Sequence, residues 1–191
     1  MNLLRAGAKN LKLISLLVAL LVTQTSSHAQ PSNFPNHCLP GETIFLSAKM
    51  KRSINTPKEV VYEETGKVVS LCADRSKDPI SKLSYRYGPI GSIELERVAT
   101  KSKPFGYAEL ALDKVSIDAY FFGVGDFTYY VTVAGAMGSG ISLEVYRGER
   151  QVVDLFSGND DTTDFYMPFV VRADAVLTVQ VPKPKHLSSY K

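Results

Sequence analysis

The sequence predicts an all-β fold: a single-domain antiparallel β-sandwich or barrel of about ten short strands. Apolar and polar residues alternate with period two in segment after segment, for example Leu83, Tyr85 and Tyr87 against Ser84 and Arg86. Turn-forming residues separate these segments at spacings of about 8–12 residues, the rhythm of sandwiches and barrels. The most helix-permissive piece, 105–112, is too short to hold a helix alone and lies between strand patterns.

Residues 1–29 read as a secretory signal. Arg5, Lys9 and Lys12 precede an apolar run, Leu13 to Val22, and Ser27-His28-Ala29 supplies small residues at a cleavage position. A membrane span needs about 20 apolar residues, and this run is shorter. Residues 30–37, with two prolines, form a leader expected to be disordered. The β domain is expected over 38–181 and a flexible Pro/Lys tail over 182–191.

Within the domain, 42–48 is the first strand and 53–58 a turn region. Residues 60–63 and 67–73 are expected to pair as a hairpin across Glu64-Thr65-Gly66. A polar loop, 74–81, leads into the central hairpin, 82–87 and 93–98, around Gly88-Pro89-Ile90-Gly91-Ser92. Matching the apolar faces sets Tyr87 across from Ile93, Tyr85 across from Leu95 and Arg86 across from Glu94 on the wet face. Arg86 between two tyrosines reads either as a recognition surface or as a solvated cross-strand pair. Further strands are expected at 105–112, 115–121, 127–133, 141–146, 151–156, 165–171 and 175–181, with a tight turn at Arg147-Gly148-Glu149-Arg150.

Several of these pieces together carry a resemblance. They are Cys38-Leu-Pro-Gly41-Glu42 with Ile44-Phe45, Ser70-Leu71-Cys72-Ala73, and Tyr85-Arg86-Tyr87-Gly88 with Ile93-Glu94-Leu95. Phe105-Gly106-Tyr107-Ala108 and the Tyr-rich strand at 127–133 continue the pattern. Over 38–148 the chain resembles an uncharacterised family of small secreted bacterial all-β proteins. In size, export and β character these are similar to periplasmic lysozyme inhibitors, an analogy at the level of fold. The chain departs from the family where Phe45-Leu46-Ser47-Ala48 lacks a further cysteine. The resemblance implies a small, exported all-β domain.

Composition excludes much. The chain has 22 Lys+Arg and 19 Asp+Glu, but residues 1–29 hold three of the basic residues and no acidic one. The rest is electrically neutral, which makes nucleic acid and anionic membrane poor partners. Of three histidines, His28 falls in the signal, His37 in the leader and His186 in the tail. A Ser-His or Cys-His nucleophile pair is hard to build from these, and so is a zinc site. No catalytic residue, metal site or cofactor is therefore assigned. The two cysteines, Cys38 and Cys72, can pair only with each other, and export permits the bridge. The alternative is a reactive thiol, for which no CxxC is present.

Two loops remain. Ser157 to Asp164 is acidic, but its spacing matches no EF-hand, so a solvated turn is favoured over a cation site. Ala134-Gly135-Ala136-Met137-Gly138-Ser139-Gly140 is a small-residue loop, either a plain connection or one able to enter a partner's cleft. The expected function is a periplasmic or secreted, non-catalytic binding module. Its partner is a protein, with a lysozyme-like cell-wall hydrolase as the specific case, or an envelope glycan. Tyr85, Arg86, Met137, Gly138 and Ser139 are the candidate binding residues. The alternatives are an envelope-glycan hydrolase drawing carboxylates from Glu94, Asp118, Asp126 or Glu144, and a structural envelope protein.

Overall fold

Alternating segments become strands wherever one face can be buried, and here nearly all of them do. The computed structural model describes residues 33–74, 79–112, 115–135, 139–158, 163–168 and 173–179. The expected signal (1–29) and tail (182–191) lie outside the described residues.

Eleven strands are present among the described residues: β1 (Glu42–Asn55), β2 (Val60–Asp74), β3 (Lys82–Pro89), β4 (Leu95–Thr100), β5 (Phe105–Leu112), β6 (Val115–Val124), β7 (Phe127–Ala134), β8 (Gly140–Arg147), β9 (Arg150–Phe156), β10 (Phe165–Tyr166) and β11 (Leu177–Val179). They form one sheet in the order β11-β5-β6-β7-β8-β9-β1-β2-β3-β4, with β10 paired to β1. The sheet curls into a nearly closed barrel, not a sandwich. Neighbours are antiparallel except β11, which runs parallel to β5 after a short 3-10 turn, Asp174–Val176.

One face of the sheet supplies the interior. Leu46 of β1, Leu71 of β2, Leu83 of β3, Val131 of β7, Leu143 of β8 and Leu155 of β9 meet there, all buried. Burying side chains of this kind contributes about 1.5–3 kcal/mol each. A second cluster lies on the opposite face of β5 to β8, where Leu110, Ile117, Ala119, Tyr130 and Tyr146 are also buried.

Three expectations need correction. First, β1 runs on to Asn55, and β2 is one continuous strand, not a hairpin folded at 64–66. The two pair along their whole length, with a bulge where Met50 faces Lys67 but Lys51 faces Glu64. Gly66, at φ 70°, serves that bulge, which the Thr65 hydroxyl closes by donating to the Met50 carbonyl at 2.6 Å. Second, the central hairpin pairs Tyr87 with Leu95, Arg86 with Glu96 and Tyr85 with Arg97, two residues away from the expected register. Third, the leader has no strand, but from Asn33 on it is not loose. The Ser47 hydroxyl donates to the Pro35 carbonyl at 2.9 Å, and the His37 N–H donates to Ser70 Oγ at 3.1 Å. His37 Nε2 donates to the Gly88 carbonyl at 3.0 Å, and Cys38 is bridged to Cys72. The leader thus lies across the outer face of β1, β2 and β3. That bridge fits an oxidising compartment, and no helix among the described residues is long and apolar enough to cross a membrane.

Candidate binding cavity in the barrel mouth

Tyr85 and Arg86 project from β3 to opposite sides, and neither reaches the surface. Arg86 is 1% exposed and Tyr85 0%. The Arg86 guanidinium faces outward, where the leader covers it. It donates to both oxygens of Glu42 (Nη1 to Oε2 2.5 Å, Nη2 to Oε1 3.1 Å), to the His37 carbonyl at 3.1 Å, and through Nε to Glu96 at 2.7 Å. Burial by itself would raise the Glu42 carboxyl. The Arg86 hydrogen bond and the Leu39 N–H outweigh it, and Glu42 titrates below its usual value. The Glu42 bond likewise raises Arg86. Arg86 is therefore neither a recognition residue nor a solvated pair, but the centre of a buried ionic lock between β1, β3 and the leader. Cys38, Cys72 and Glu42 cluster tightly beside it, but the sulfurs are joined and the carboxylate is engaged by Arg86.

The small-residue loop leaves β7 and enters β8 where Ala134 pairs with Gly140. Ser139 is half-buried there. Met137 and Gly138 lie outside the described residues, as does the middle of the acidic loop, 159–162. The carboxylates named for hydrolysis are engaged separately. Asp118 accepts from the Tyr107 hydroxyl at 2.5 Å, Glu94 pairs with Lys67 at 2.7 Å, Asp126 with Arg147 at 3.6 Å, and Glu144 accepts from Tyr146 at 2.9 Å. This arrangement lends a hydrolase no support.

At the other end of the barrel a cavity of about 970 Å³ opens. Its walls are the inward-facing residues of the strand ends: Tyr87, Tyr129, Leu143, Val145, Val153 and Leu155. Phe127 and Leu95 stand at the rim with the charged residues Arg52, Glu63, Glu64, Lys67, Glu94 and Asp154. The rim charges are partly self-neutralised. Lys67 Nζ bonds Glu94 and lies 5.4 Å above the Tyr87 ring, and Arg147 lies 5.7 Å from the Phe127 ring centre. Below the cavity is an aromatic layer. Phe122 stacks on Tyr129 at 5.3 Å and on Phe105 at 4.9 Å, and Tyr85 meets Phe122 edge-on at 4.8 Å. Burial raises the Tyr85 and Tyr87 phenols above their usual value, so both remain hydrogen-bond donors at neutral pH.

Next to the mouth, β1 and β2 continue past the barrel as a two-stranded ribbon, 51–55 with 60–64. Thr56 closes it by exchanging hydrogen bonds with Glu59. Ile54, Val60, Val61 and Tyr62 are exposed along it. Sequence reasoning missed the cavity because alternation marks inward-facing residues without saying whether they touch across the barrel.

No family model matches the chain, and neither a curated protein nor a solved structure is detectably similar to it.

Proposed function

We propose that the chain is a non-catalytic binding protein of an oxidising, extracytoplasmic compartment, periplasmic or secreted, which holds a small, largely apolar molecule in the mouth of its barrel. The cavity carries this reading: about 970 Å³, apolar and aromatic in its depth, charged only at its rim. Sites of that size and character, in the mouths of β-barrels, are where small ligands are held. The Cys38–Cys72 bridge supports the compartment, and the export signal read from residues 1–29 agrees with it.

Titration with the fluorescent probe 1-anilinonaphthalene-8-sulfonate tests the reading. Saturable one-to-one binding is expected. Leu95→Trp, which puts a large ring at the half-buried rim, should weaken it by about tenfold or more while leaving the far-ultraviolet dichroism unchanged. Unsaturable binding, or equal affinity in a folded Leu95→Trp variant, would overturn it.

A second reading keeps a protein partner, with a cell-wall hydrolase of the lysozyme type as the specific case. The exposed ribbon favours it: its apolar side chains and unpaired strand edges fit addition of a partner's strand. The resemblance to small secreted bacterial proteins is consistent with this. Immobilised protein retaining a lysozyme, and losing it when Val60, Val61 and Tyr62 become serine, would favour this reading over the first.

A further inference from the structure

The register of the ribbon sorts its side chains onto two faces. Lys51 with Glu64, Ser53 with Tyr62 and Asn55 with Val60 share one face, and Arg52 with Glu63 and Ile54 with Val61 share the other. The first face turns away from the cavity. Lys51 bonds Asp164 and the Tyr62 ring lies 5.9 Å from that of Phe156, and none of these four residues lines the cavity. Only Glu64, beside the bulge, reaches the rim from that side. The second face looks over the mouth, since Arg52 and Glu63 both stand in the rim. Ile54 and Val61 come next along it, directly opposed, and each is 42% exposed. Lys51 is paired with Phe156, the neighbour of Leu155 in the cavity wall. Ile54 lies three residues further on, about 10 Å above that wall. Apolar surface therefore occurs twice on one line, in the depth of the cavity and again at this pair, with the rim charges between.

We propose that Ile54 and Val61 form the outer part of the binding site, so that the ligand is an elongated apolar molecule, an alkyl chain, whose inner part fills the cavity and whose outer part lies against this pair. The inference rests on the cavity reading and adds the class of ligand. A compact molecule is held by the cavity alone and leaves the pair in water. A chain that runs past Arg52 and Glu63 covers both side chains and gains in proportion to the apolar area it removes from water. An apolar pair in register on the face beside a cavity is accounted for in this way, because it continues the site that Arg52 and Glu63 of the same face already line.

The test is a chain-length series, 1-hexanol, 1-octanol, 1-decanol and 1-dodecanol, read by displacement of 1-anilinonaphthalene-8-sulfonate. In wild type, affinity should rise by about threefold to fourfold per added methylene through the whole series. In the double variant Ile54→Ser with Val61→Ser the short alkanols should bind as in wild type, which also shows that the variant is folded, and the rise should stop for the longest. Val60→Ser with Tyr62→Ser, on the opposite face, should follow wild type. Equal slopes to the end of the series in wild type and the Ile54/Val61 variant would overturn the extended site while leaving the cavity intact. So would a wild-type series that levels off at 1-octanol, or a loss of the long-chain gain in both double variants, which would separate the effect from this face. A ligand-free dimer that the Ile54/Val61 variant turns into a monomer would give the face to a second copy and overturn the inference as well. Failure of every alkanol to displace the probe saturably from wild type would overturn the cavity reading, and the extended site with it.

Discussion

At the scale of single residues, Arg86 is where the sequence was read correctly in direction and wrongly in environment. Alternation puts its side chain on the side opposite Tyr85 and Tyr87, and so it is. But the outer side of β3 is not water, because the leader lies over it. Nothing in local periodicity reports what another segment will cover. The consequence is energetic. Removing one member of a buried ion pair leaves the other charged and uncompensated, at a cost of about 3–5 kcal/mol. Arg86→Met should approach that loss in urea denaturation, at the low end because Lys82 also lies 3.3 Å from Glu42. Glu96→Gln should cost under about 1 kcal/mol, since that carboxylate is half exposed. Similar losses in the two variants would show that the lock is not buried in solution. The pH dependence follows from Glu42. Its carboxyl titrates lower folded than unfolded, so its contribution is complete above the unfolded value of about 4.3 and is lost as pH falls through the folded one. The stability gap between wild type and Glu42→Gln should therefore narrow as the pH is lowered from about 6 to about 3. A gap that stays constant would mean that Glu42 is not held in its charged form.

At the scale of elements, most strands were legible and their pairing was only partly so. The turn at 147–150 joins β8 to β9 where expected, with Gly148 at φ 60° as a two-residue turn requires. The central hairpin kept its faces but moved its register by two. The reason is arithmetic: a one-residue slip exchanges the faces of a strand, but a two-residue slip restores them, so alternation cannot choose between the two. The segment 60–73 was misread for a related reason. A glycine that adopts positive φ serves a turn and a bulge equally well, and only the partner strand decides which forms. The cysteine pair was legible by count alone, and its structural role adds to that. The bridge ties the leader to β2 and so holds in place the segment that covers Arg86. Closing a loop of this length stabilises by about 3–4 kcal/mol in the chain-entropy account. Cys38→Ser with Cys72→Ser, or reduction of the native chain, should lower the unfolding free energy measured in urea by that amount. It should also speed hydrogen exchange at the His37 amide, which bonds Ser70 Oγ. Unchanged exchange there would show that hydrogen bonds alone hold the leader.

At the scale of the whole molecule, closure of the barrel was the part least visible in sequence. Strands β1 to β4 form one meander and β5 to β9 another, each paired in chain order. What turns two meanders into a barrel is a set of contacts remote in sequence: Lys51 of β1 opposite Phe156 of β9, β10 on β1, and β11 alongside β5. Lys51 also bonds Asp164 at 2.9 Å, where both side chains are largely buried. Such seams are thin, and the interior does more. Phe45 of β1 meets Tyr120 of β6 at 5.6 Å, and Tyr85 of β3 meets Phe122 of β6 at 4.8 Å, so each meander covers the other's apolar face. Neither sheet buries that face alone, and a sheet without a covered face is marginal in water. The two halves should therefore unfold together. The chain has no tryptophan, and Tyr85, Tyr120 and Tyr129 draw from both meanders. Tyrosine fluorescence and far-ultraviolet dichroism should then follow a single urea transition with one midpoint. Phe45→Ala, a cut at the contact between the halves, should shift both signals equally by about 3–5 kcal/mol or somewhat less, because Phe45 is only partly buried. Two separated transitions, or a fragment ending at Ser102 that folds by itself, would mean that the meanders are independent units. The cavity, whose walls come from both, would then be a groove between domains instead of the mouth of one barrel.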